Sequence, residues 1–82
     1  MTRRDKLVER IRRRPVSARF SDVRSLLEDY GWTYDRMNGS HAAFTKPGES
    51  TLSIPVHNKE VKHFYVGRIC DLLDLDSGNE TD

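Results

Sequence analysis

The chain has 82 residues, of which 35% are hydrophobic and 33% charged, and its net charge is +1. That length holds one small domain with a lean core, so a multidomain enzyme is excluded. No apolar run approaches the ~20 residues a membrane span needs, and Met1-Thr2-Arg3-Arg4-Asp5 leads into no signal-peptide segment. The single Cys70 excludes a disulfide scaffold and points to a reducing, cytoplasmic setting. The near-neutral sum hides a polarity. Residues 1–20 hold eight basic and two acidic side chains, a local charge of +6, whereas residues 71–82 hold five acidic and no basic ones. A basic arm fits a polyanionic partner such as nucleic acid, and equally a solvated helix face opposite an acidic tail.

In chain order, Leu7, Val8 and Ile11 form a short apolar stripe between Thr2, a cap residue, and Pro15, a helix stop. They predict a helix over 3–13. Val23, Leu26, Leu27 and Tyr30 follow the i, i+3, i+4, i+7 spacing, with Ser21 able to cap and Gly31 to terminate a helix over 22–30. The period then changes to two. Trp32 and Tyr34, Ala42 and Phe44, and Leu52 and Ile54 alternate with polar neighbours, separated by turns at Asn38-Gly39 and Pro47-Gly48-Glu49-Ser50. Val66, Ile69, Cys70 and Leu73 return to helical spacing over 64–74, with Gly67 inside as a site of close packing. Residues 76–82 read as an acidic, frayed tail.

The order is α-α-β-β-β-α, an α+β domain with a three-stranded antiparallel meander, helices on one face and an extra N-terminal helix. A three-residue first turn with Gly39 as a bulge would pair Tyr34 with Ala42 and Trp32 with Phe44, whereas a two-residue turn at Asn38-Gly39 would pair Asp35 with Ala42 and bury its charge. The second loop should pair Phe44 with Leu52 and Ala42 with Ile54. The opposite face would then be small and polar, with His41 and Asp35 across from each other.

Strong motifs are absent: no P-loop, GxGxxG, CxxC, HExxH or GxSxG. His41, His57 and His63 match no metal-ligand spacing, so neither metal nor cofactor is expected. His41 is either an ordinary surface residue or a general acid–base group, since imidazole titrates near neutral pH. A neighbouring Asp35 could orient its ring. In His57-Asn58-Lys59-Glu60-Val61-Lys62-His63, Lys59 and Lys62 are either solubilising or able to hold a phosphate beside the imidazole.

Gly31-Trp32, Gly39-Ser40-His41-Ala42-Ala43-Phe44, Ile54-Pro55-Val56-His57 and Lys59-Glu60-Val61-Lys62 together resemble the HicA toxins. The resemblance covers roughly residues 20–74 of a single domain over 1–75. Val16 to Asp22 and the upstream helix look like a longer-headed branch. Where many members carry a second His, this chain has Ala42. Where Pro or Gly often precedes the last helix, it reads His63-Phe64. The resemblance implies a double-stranded-RNA-binding-like fold, a metal-independent endoribonuclease that cleaves mRNA, and a HicB-type antitoxin that silences it. It assigns His41 as the catalytic residue. Ser40, Asp35 and His57 are the candidates for support, and Lys59, Lys62, Gly39, Arg10, Arg12, Arg13 and Arg14 for holding RNA phosphates. The rival readings are a non-catalytic RNA-binding module and a protein-interaction domain.

Overall fold

The computed structural model describes residues 3–75. The Thr2 cap and the acidic 76–82 tail lie outside the described residues. Helix α1 spans Arg3–Arg12, α2 Phe20–Asp29 and α3 His63–Leu73, and strands β2, β3 and β4 span Thr33–Asn38, His41–Thr45 and Leu52–Pro55. The expected helices and the three-stranded antiparallel meander β2-β3-β4 are present. The expected order omitted two strands. Ser17–Arg19 (β1) and Glu60–Lys62 (β5) pair antiparallel as a second sheet, with Ala18 opposite Val61. Three residues are too few for a period to declare itself, so only the long-range pairing identifies them.

One core joins the layers. Leu7 and Ile11 of α1, Val23, Leu26 and Leu27 of α2, Ala42, Phe44 and Ile54 of the meander, and Val66, Ile69, Cys70 and Leu73 of α3 are all buried. Each large side chain in such a core contributes about 1.5–3 kcal/mol. The Cys70 thiol donates to the Ile11 carbonyl (3.1 Å), which ties α3 to α1. Helix α2 starts at Phe20 and not after a Ser21 cap: Arg19 is the N-cap, without a side-chain bond. The Phe20 N–H is instead satisfied by the Lys59 carbonyl (2.8 Å), and its ring joins Tyr34 and Phe44 at 6.0 and 6.2 Å. An early helix start thus places an aromatic anchor on the sheet. Gly67 fits the close-packing expectation, since a Cβ there would stand 3.1 Å from Arg14 Nη1.

The β3–β4 register is as expected, with Ala42 opposite Ile54 and Phe44 opposite Leu52. Between them, Lys46 to Glu49 form a turn closed by Glu49 N–H to Lys46 O (3.0 Å), with Pro47 and positive-φ Gly48 in its centre. The β2–β3 register differs from expectation. Asn38 pairs with His41 and Met37 with Ala42, and Tyr34 faces Phe44 rather than Ala42. The irregularity sits at Asp35, between the Tyr34 and Arg36 pairings, and not at Gly39. The turn is therefore Gly39-Ser40, with φ 65° at Gly39 alone of the two, the arrangement in which glycine leads a two-residue hairpin. An unbroken strand entering a two-residue turn would put Asp35 on the core face. The bulge prevents this by leaving Asp35 on the open side while Tyr34 still reaches the core.

Candidate active site

The helices cover one face of the meander, and the other is open. On it lies a shallow concavity of about 380 Å³ lined by Asp35, Arg36, Asn38, His41, Ala43, Thr51 and Ser53. Strand alternation explains most of this set. His41 and Ala43 point away from the core because Ala42 and Phe44 point into it, and Ser53 faces out because Ile54 faces in. The floor is low because Ala43, between Arg36 of β2 and Ser53 of β4, has only a methyl group.

The bulge accounts for Asp35 and Arg36. In a regular strand, consecutive side chains take opposite faces; a bulge sets two residues against one and re-aims a side chain. Here Asp35 and Arg36 line the same concavity, with Arg36 Nε 4.0 Å from Asp35 Oδ2. Asp35 therefore shares a hollow with His41, but the residue directly across from His41 is Asn38. Reading the residues alone missed Arg36, because period two from Tyr34 assigns it to the core face. The signal that could have found it is the charge itself, since a guanidinium has no place on the core face beside Tyr34.

The remaining candidates are spread over other surfaces. Ser40 and Gly39 form the hairpin tip, and the Ser40 carbonyl accepts the Val56 N–H (2.7 Å), which brings the segment before His57 alongside the start of β3. His57 closes a tight turn through paired backbone bonds with Glu60 (2.9 and 2.8 Å), with Asn58 and Lys59 at positive φ. Lys59 lines a separate hollow with Arg19, Phe20 and Ser21. Lys62 is the N-cap of α3 and pairs with Ser17. Neither lysine lines the His41 concavity. His63 Nδ1 lies 3.0 Å from the Pro15 carbonyl, a contact that pins the start of α3.

The basic arm is engaged with the protein's own carboxylates. Arg10 bonds Asp22 (2.9 Å), Arg12 and Arg13 both reach Glu9 (3.0 and 3.4 Å), and Arg14 spans to the Gly67 carbonyl (3.1 Å) and Asp71 (3.0 Å). The Arg12 hydrogen bond and charge, reinforced by Arg13, hold the Glu9 carboxyl below its ordinary range. Arg10 and Arg13 remain 60% and 73% exposed, whereas Arg12 and Arg14 are only about one-third exposed, at 33% and 34%. Among the described residues no group of three or more His, Cys, Asp or Glu side chains could hold a metal ion, and no helix is long and apolar enough to cross a membrane.

Neither the curated proteins nor the solved structures yielded a match to the chain. A family model described as the HicA toxin of bacterial toxin–antitoxin systems matches residues 20–75, from the start of α2 to just past α3. That stretch contains the whole meander, the Gly39-Ser40-His41 turn and the open face, and leaves α1 and β1 outside. The chain belongs to the HicA toxin family.

Proposed function

We propose that the protein is an endoribonuclease toxin that cleaves mRNA at the open face of its meander, with His41 as the catalytic residue. The observation that carries it is an exposed imidazole, held by a hairpin turn and strand pairing on both sides, within a polar concavity of a toxin-family domain. RNA supplies its own nucleophile. His41 takes the proton from a 2′-hydroxyl as O2′ bonds to phosphorus and the P–O5′ bond breaks. The leaving O5′ takes a proton from water, giving a 2′,3′-cyclic phosphate and a 5′-hydroxyl. Such a step requires no metal. The partner is a HicB-type antitoxin that covers the open face in the cytoplasm, because no described element of the chain closes over so shallow a concavity.

The test is growth and transcript integrity after induction of wild type, His41→Ala and His41→Gln. Both variants should be harmless and leave mRNA intact while unfolding at the wild-type temperature, since His41 is exposed and surface changes cost under ~0.5 kcal/mol. A variant that arrests growth and degrades mRNA at the wild-type rate would refute the assignment. Growth arrest with mRNA left intact, unchanged in both variants, would favour a non-catalytic RNA-binding module.

A further inference from the structure

We infer that Arg36 binds the scissile phosphate and stabilises the charge that develops on it, with Asp35 as its positioning residue. The inference rests on the nuclease reading and extends it to a residue for which neither motif nor spacing gives a role.

Arg36 pairs with Ala43, and His41 lies two residues from Ala43 on the same face of β3. Arg36 and His41 are thus diagonal neighbours, about 7–8 Å apart at the backbone, within reach of a long side chain. One phosphate resting over the Ala43 methyl would meet the guanidinium from β2 and the imidazole from β3. The planar fork of Arg matches two phosphate oxygens at once. At 75% exposure, the Arg36 side chain has a single ion pair among the described residues, the long 4.0 Å contact with Asp35. Arg10, Arg12, Arg13, Arg14 and Arg24 each have a carboxylate within 3.4 Å. The ligand is a phosphate, because a guanidinium and an imidazole on one polar floor both offer N–H donors to its oxygens.

The bulge gives independent support. Removing Asp35 from the count leaves Tyr34, Arg36, Met37 and Asn38 in simple alternation, with every other partner on β3 unchanged. The ladder therefore has no need of the extra residue. What it adds is a carboxylate beside the guanidinium on the His41 face. Bulges that re-aim a side chain cluster beside active sites.

The experiment uses the purified full chain and a single-stranded RNA oligonucleotide, with its 2′-O-methyl form as a non-cleavable binding probe. Arg36→Gln should lower kcat about 100-fold, the effect of losing one donor to a transition-state oxyanion, with Arg36→Lys in between. On the probe, Arg36→Gln should reduce the slope of log affinity against log salt by about 0.7, one phosphate contact on a single strand. If Arg36 only neutralised Asp35, the double variant Asp35→Asn/Arg36→Gln would recover wild-type cleavage; it should instead stay as slow as Arg36→Gln. Full recovery would overturn the inference, as would Arg36→Gln cleaving within twofold of wild type while His41→Ala is dead. Either result leaves the nuclease reading standing. A wild type that does not cleave, or a His41→Ala variant that cleaves equally well, would overturn both.

Discussion

Gly67→Ala sets two effects of similar size against each other. Gly67 is inside α3, where glycine costs about 1 kcal/mol relative to alanine, so the substitution alone should stabilise by that amount. The new Cβ would stand 3.1 Å from Arg14 Nη1, which itself donates to the Gly67 carbonyl at 3.1 Å. The guanidinium must move, and that hydrogen bond contributes about 1 kcal/mol. The linked Asp71 pair, whose carboxylate side is 75% exposed, adds only about 0–1 kcal/mol. Gly67→Ala should therefore leave stability within about 0.5 kcal/mol of wild type. In an Arg14→Ala background the conflict is gone, and the same change should stabilise by about 1 kcal/mol. Urea unfolding of the four proteins measures the coupling, expected at about 1 kcal/mol. Equal gains in both backgrounds would show that Arg14 does not seat on Gly67 in solution, and would free it as an RNA contact.

The basic arm should divide by exposure. Arg10→Gln/Arg13→Gln should flatten the salt slope of RNA binding by about 1.4, whereas Arg12→Gln should leave the slope unchanged; equal effects would assign the arm as a whole. Deleting Asp35 should preserve the β2–β3 register and cost under about 1 kcal/mol, since the bulge is surplus to the ladder; amide exchange over β2 checks this, and loss of protection there would place the irregularity elsewhere. Glu9 has its folded carboxyl lowered, so its contribution is present above the unfolded value near 4.5 and is lost as pH falls through the lower folded one. Its NMR titration midpoint should therefore lie below the ordinary glutamate value and rise towards it in Arg12→Gln. A midpoint that ignores Arg12 would remove the guanidinium as the cause.

Most of what can be read locally was legible in the residues. Three helices follow from apolar spacing around Leu7, Val23 and Val66, and the β3–β4 register follows from two alternating runs on either side of a Pro-Gly turn. The exposure of His41 follows from its neighbours alone: Ala42 and Phe44 fill the core, so the residue before Ala42 must face out. What eluded the sequence depended on partners far away in the chain. The bulge at Asp35 shows only in the pairing, where Tyr34 meets Phe44 and Met37, three positions on, meets Ala42 two positions back, an offset that no single strand's period contains. The β1–β5 pair joins segments about 43 residues apart. The net charge of residues 1–20 fits a phosphate-binding arm and a solvated helix face equally, and it cannot show that Asp22, Glu9 and Asp71 stand against those arginines. Period and turn chemistry act between neighbours, so sequence alone determines them. Which charge remains free for a ligand is settled only when the chain has closed on itself.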